Sequence, residues 1–192
     1  MGPMAPIVHE FDWPDRFVVG TVGVPGARTF FLQARDGQRV VSVSVEKEQS
    51  FALAEKIDEV LDELMAEDGN PYSIPPLADE ALVDEDPLDT PIDEAFRAGA
   101  MSLGWDPATG QVVIEAFPII EVEVDRLEDL DELIDLPETL PEQVMQVRIP
   151  VGAARAFTKR TRDVVASGRP ICSLCGLPMD EGHVCELPDG FR

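Results

Sequence analysis

The stretch RFVVGTVGVPGARTFFLQARDGQRVVSVSVE, residues 16–46, decides the fold class. Its β-branched and aromatic runs are broken by VPGA (24–27) and RDGQ (35–38), where Pro-Gly and Asp-Gly supply the backbone angles of tight turns. The pattern predicts three antiparallel strands, at about 17–23, 28–34 and 39–45. In the third, Val41, Val43 and Val45 alternate with Ser42 and Ser44, which predicts one buried and one wetter face. The buried face needs a helix, and SFALAEKIDEVLDELMAED (50–68) follows at once. Leu53, Ile57, Val60, Leu61 and Leu64 recur at helical spacing, Ser50 reads as the N-cap, and GNP (69–71) stops the run. Glu59, Asp62, Glu63 and Glu67 fall on other faces, and an exposed helix face explains them more simply than a cation site does.

Working toward the C-terminus, residues 71–91 turn to Pro, Asp, Glu and small apolar residues with poor periodicity, which predicts an extended, partly mobile loop. The acids of DEDPLD (84–89) lack the glycine and closing glutamate of a calcium loop. AMSLGWDPATGQVVIEAFPI (100–119) reads as strand, turn and strand, and IIEVEVD (119–125) as a further pairing segment. The following Leu-punctuated stretch holds seven acids between Glu128 and Glu142, so it reads as an exposed insertion. Met145, Val147 and Ile149 alternate as in a strand, and VGAARAFTKRTRDVVASGRP (151–170) then forms a basic helix. Ala153, Phe157 and Val164 lie on its stripe, and SGRP ends it. The fold class is therefore α+β: a mainly antiparallel sheet, two principal helices and a small C-terminal zinc knuckle. Residues 1–168 make the α+β domain, with acidic loop insertions near 71–91 and 126–142, and 169–192 make the knuckle tail.

The knuckle rests on CSLCGLPMDEGHVC (172–185), which contains all three cysteines of the chain and one of its two histidines. Cys172 and Cys175 are spaced so that both thiolates reach one ion over a tight turn, with Gly176 easing the backbone, and His183 and Cys185 complete a tetrahedral Cys3His set. Such closed sites are structural, because a catalytic zinc keeps a position for water or substrate. Thiolate softness also favours zinc, so one structural Zn2+ per chain is expected. A dithiol reading of CSLC fits less well, since thioredoxin-like motifs open a helix while Pro170 and Gly176 frame a loop. Three cysteines also rule out an even disulfide framework. A zinc deaminase would need an upstream His-x-Glu, whereas His9 and Glu10 are adjacent. His9 reads as an ordinary surface or packed residue.

Length and charge narrow the function. With 192 residues and 44% hydrophobic content the chain can bury a core. Its longest apolar runs fall far short of the roughly 20 residues that span a bilayer, and its N-terminal residues lack a signal layout, which places it in the cytoplasm with no membrane partner. The net charge is −23, but 29 of the 38 acids and only four bases lie in residues 46–142, a net of −25 that leaves +2 elsewhere. Arg155, Lys159, Arg160, Arg162 and Arg169 form a basic segment, which reads as a solvated helix face, an internal partner for the acidic middle, or a partner-binding surface. No Walker sequence, G-x-G-x-x-G or nucleophile–base pair is present; GTVGVPG (20–26) lies in a hairpin with no helix behind it.

RFVVGTVGVPGARTFFLQA (16–34), RIPVGAARAFTKRTRDVVASGRP (148–170) and CSLCGLPMDEGHVC (172–185), in that order, resemble an uncharacterised actinobacterial family labelled a domain of unknown function. The likeness covers most of the chain outside the acidic middle. Ser173 stands where such knuckles often carry proline, and ELPDGFR (186–192) replaces a more basic ending; neither touches a metal ligand. Members tend to be encoded beside a histidine-phosphatase-like and a kinase-like protein, so the resemblance implies a role in a small conserved system, and it implies no catalytic residues.

Two classes of function follow. The first is a non-enzymatic zinc-binding adaptor with protein partners, its acidic insertion and basic helix making the contacts. The alternative is a nucleic-acid-associated factor using the basic helix 152–169 on phosphates, disfavoured because only Phe157 in that helix offers an aromatic ring for stacking. An enzyme with a carboxylate-based site that no motif marks is the remaining class.

Overall fold

In the computed structural model of this chain, the described residues are 5–24, 26–119, 141–168, 172, 174 and 184. The strands are β1 (Ile7–Asp12), β2 (Arg16–Val22), β3 (Thr29–Asp36), β4 (Arg39–Val45), β5 (Glu94–Asp106), β6 (Gln111–Pro118) and β7 (Gln143–Pro150), with helices α1 (Lys47–Met65) and α2 (Val151–Ala166). All seven strands belong to one sheet in the order β1-β7-β6-β5-β4-β3-β2. The pairs β1/β7 and β4/β5 are parallel and the other four antiparallel, so the fold is α+β with a mostly antiparallel sheet, as the residue pattern predicts. β1 was not legible as a strand; it is short and exposed along most of its length, so its sequence carries little of a strand's alternation.

β1 and β2 lie at opposite ends of the strand order, yet only residues 13–15 separate them. Four Cα steps reach roughly 14 Å at most, so the sheet must curl until its two edges meet. Trp13 turns this corner in the left-handed region (φ 56°), with its N–H donating to the Arg148 carbonyl at 2.9 Å. Arg39, at the start of β4, reaches across the curl to edge strand β1: Nη2 donates to the Glu10 carbonyl at 2.6 Å while the guanidinium lies 4.1 Å from the centre of the Phe11 ring. The bend is made in β5, which pairs with β4 through Arg97 and with β6 from Ala98 onward. A register shift falls at Gly99, where a Cβ would lie 2.8 Å from the Ile119 Cα, so only glycine fits.

A single core fills the curl. Val41, Val43 and Val45 face it together with Leu53, Ile57 and Leu61 of α1, Phe157 of α2, and the inward residues of β6 and β7. Phe17 and Phe157 stack at 4.6 Å, fixing α2 on the edge strand β2. Ser50 is not the cap of α1: Glu46 is, in a capping box with Gln49, and Ser50 is buried with its hydroxyl donating to the Glu46 carbonyl at 3.3 Å. The helix begins a turn earlier than its hydrophobic repeat because KEQ, though polar, closes that box.

The Ser42 and Ser44 face is buried, not wetter. After α1 the chain passes the β2 edge and returns over the far face of β2–β4, where Leu88 packs on Val18 and Phe31. The Gln33 side chain mimics a strand partner for this segment: its Nε2 donates to the Asp89 carbonyl at 3.1 Å and its Oε1 accepts from the Asp89 N–H at 2.8 Å. The expected pairing segment 120–125 and the insertion at 126–140 lie outside the described residues.

Candidate functional site

Of the four expected zinc ligands, the structure describes Cys172, which is buried (6% exposed). Cys175, His183 and Cys185 lie outside the described residues, as does Arg169. Among the described residues no group of three or more His, Cys, Asp or Glu side chains is arranged to hold a metal. Leu174, between the first two cysteines, and Val184, between His183 and Cys185, are both strongly exposed. His9 is placed on β1 with Nε2 3.0 Å from the Gln143 Oε1.

The basic residues of α2 meet carboxylates from distant parts of the chain. Asp58 on α1 accepts from Arg155 Nη1 at 2.8 Å, Arg162 Nη2 at 2.9 Å and the Thr158 hydroxyl at 3.0 Å. Arg155 also reaches Asp62 at 2.6 Å and the Pro75 carbonyl at 2.9 Å, and its side chain is only 6% exposed. Arg160, 8% exposed, donates from Nε to the Val19 carbonyl at 2.9 Å on the outer edge of β2 and pairs with Asp84 at 3.0 Å. The edge strand is thereby closed to further pairing at that point. Lys159 pairs with Asp163 at 2.7 Å on the same exposed helix face. The internal-partner reading of the basic segment therefore describes what Arg155 and Arg160 do.

Asp84 is the centre of the second network, accepting from Arg16 Nε at 2.6 Å and Nη2 at 2.9 Å as well as from Arg160. Burial pushes its carboxyl up, but the hydrogen bond from Arg16, the Asp86 N–H and the nearby guanidiniums together hold it below the usual carboxylate value. Arg16 is raised in turn, first by its hydrogen bond to Asp84, while burial draws Arg160 down against the attraction of Asp84. These shifts belong to a structural ion network that clamps residues 84–89 to β2 and α2.

A cleft of about 1150 Å3 opens where β4 runs into α1, beside the start of β3, the start of β5 and the end of α2. Arg28, Glu46, Lys47, Glu48, Glu94 and Arg97 line it over a floor that includes Phe30 and Phe96. Arg97 pairs with Glu46, and the Ser44 hydroxyl donates to Glu94. Arg28 lies over the Phe30 ring at 5.2 Å and donates from Nη1 to the Ser167 hydroxyl at 3.1 Å. Lys47 makes no hydrogen bond or ion pair with any described residue. No sequence motif marks this cleft, because its side chains come from five elements that only the tertiary fold assembles. A smaller cleft of about 230 Å3 lies between Trp13, Leu82, Phe157 and Arg160.

A family model described as "Protein of unknown function (DUF3090)" matches residues 9–185, spanning the sheet, both helices and the cysteine motif. No curated protein and no solved structure matches the chain. No helix among the described residues is long and apolar enough to cross a membrane.

Proposed function

The chain belongs to the DUF3090 family of proteins of unknown function, and on that premise we propose that it is a non-enzymatic interaction protein whose C-terminal tail is organised by one structural Zn2+. Cys172, Cys175, His183 and Cys185 would hold the ion. The observation that carries this reading is the donor set itself: a Cys-x-x-Cys pair, then His-x-Cys seven residues on, using every thiol of the chain. The burial of Cys172 beside exposed Leu174 supports it, since a ligand turned inward alternates with a neighbour turned to solvent. Bound zinc would cross-link the tail and add its binding energy to folding, and no catalytic step runs through a closed four-ligand site.

The adaptor role draws support from charge. The middle of the chain, residues 46–142, carries a net of −25 from 29 acids and four bases, while Arg155 and Arg160 of the basic helix are turned inward. Surface acidity of that size steers basic partners and repels polyanions. A nucleic-acid-binding role for the basic segment would rest on Lys159, Arg162 and Arg169, of which Lys159 and Arg162 already pair with Asp163 and Asp58.

Metal stoichiometry by native mass spectrometry, on protein purified without chelator, tests the proposal together with a Cys175→Ser variant. One zinc per chain is expected, lost in the variant along with amide protection in the tail. Zinc-free protein whose thiols titrate as a reducible pair would overturn it.

A further inference from the structure

Uncompensated positive charge is scarce in a chain with 38 acids and 15 bases. Among the 12 described Lys and Arg residues, nine pair with a carboxylate; the exceptions are Arg28, Arg39 and Lys47. Arg39 is accounted for by its Phe11 ring and the Glu10 carbonyl. The other two line one cleft and flank one point in it. A Cβ built on Gly168 would lie 3.6 Å from Arg28 Nη2 and 3.9 Å from Lys47 Nζ. Neither pairs with Glu48 or Glu94, although both acids line the same cleft.

Two cations held near each other without a directly paired carboxylate among the described residues repel, and the fold supplies only partial relief. Arg28 uses Nη1 on the Ser167 hydroxyl and the Val164 carbonyl, at the negative end of the α2 dipole, leaving Nη2 and Nε without acceptors among the described residues. Lys47 leaves all three of its donors. It is also the first residue of α1, a helix start already capped by Glu46. From this convergence in one cleft of two cations that have no carboxylate partner among the described residues, we infer that the cleft binds the phosphate of a small phosphate monoester between Arg28 and Lys47.

The charge match selects the ligand class. A phosphate monoester carries about −1.5 to −2 at neutral pH, which two cations balance, whereas a carboxylate needs only one. Glu48 and Glu94 on the same walls oppose a second charged group, which favours a monoester over a nucleic-acid backbone or polyphosphate. The described lining of the cleft includes none of the four proposed metal ligands, and the inference does not depend on them.

Titration calorimetry of inorganic phosphate and of glycerol phosphate into the full-length protein, at low salt and with zinc content measured in each sample, tests the inference. Wild-type protein binds both. Lys47→Gln and Arg28→Gln each weaken binding at least about tenfold, the loss expected for a charge-assisted hydrogen bond of roughly 1.5–3 kcal/mol. Arg28→Lys retains part of the affinity. Lys56→Gln, at an exposed helix position paired with Glu59, leaves it unchanged. Acetate binds at least tenfold more weakly than phosphate. Absence of phosphate binding, equal affinities in Lys47→Gln and Lys56→Gln, or acetate binding as tightly as phosphate overturns it. Should Arg28→Gln fail to fold, Lys47→Gln decides alone, because that side chain holds no part of the fold together.

Discussion

Asp84 shows how much one side chain can carry when it sits between two buried guanidiniums. Its carboxylate joins Arg16 of β2 to Arg160 of α2, and its backbone belongs to the segment that crosses the far face of the sheet. Burial acts to raise its pKa and the Arg16 hydrogen bond leads the opposing group, with a net result below the ordinary value. A carboxylate whose folded pKa is depressed stabilises the fold at neutral pH, and that stabilisation is lost as pH falls from the unfolded value, about 3.9, through the lower folded one. Asp84→Asn should therefore lower stability at pH 7 by about 2–3 kcal/mol. That is at or below the low end of the range for breaking a buried pair, because Arg16 keeps Asp89 and the Asp86 carbonyl. Urea midpoints at pH 7, 5 and 3 should show the gap between variant and wild type closing at acid pH; a gap that stays constant would mean the Asp84 charge contributes nothing. No sequence signal marked Asp84, since it reads as one acid among several in DEDPLD.

At the scale of elements, the chain from 84 to 92 behaves as a cover over β2–β4 although it is neither helix nor strand. Its fit depends on Gly20, where a Cβ would lie 2.5 Å from the Leu88 Cγ. Gly20→Ala should cost about 1–3 kcal/mol through overpacking. It should also speed hydrogen exchange of the Asp89 amide, which the Gln33 side chain accepts in the wild type. Gly104→Ala is the control: its nearest neighbour would be the Val113 Cβ at an ordinary 3.8 Å, so stability should move by less than about 0.5 kcal/mol. Equal effects at the two glycines would show that the cover is not seated on Gly20. The strands and α1 beneath this cover were legible because alternation and helical repeats are local signals, and Pro-Gly and Asp-Gly mark the turns between them. The cover was not, because its anchors Arg16 and Gln33 precede it by more than fifty residues.

For the whole molecule, the balance lies between eleven ion pairs among the described residues and a net charge of −23. Salt shortens the reach of surface repulsion from about 30 Å at 0.01 M to about 10 Å at 0.1 M but screens buried pairs far less. Adding sodium chloride over that range should raise the Tm by about 2–4 °C, the shift that 1 kcal/mol produces in a chain of this size. A fall in Tm would show instead that exposed pairs outweigh the repulsion. Local order determined the succession of three strands and a helix, the strand leading into a basic helix, and the four-donor spacing of the tail, because each is written within a few turns of chain. Only the tertiary structure decided that the sheet's edges meet at Trp13, that Arg155 and Arg160 turn inward to Asp58 and Asp84, and that Arg28 and Lys47 are left facing one cleft. Those outcomes depend on groups brought together across as many as 141 positions, and charge pairing at such separations follows from where the backbone goes, which no periodicity or local spacing encodes.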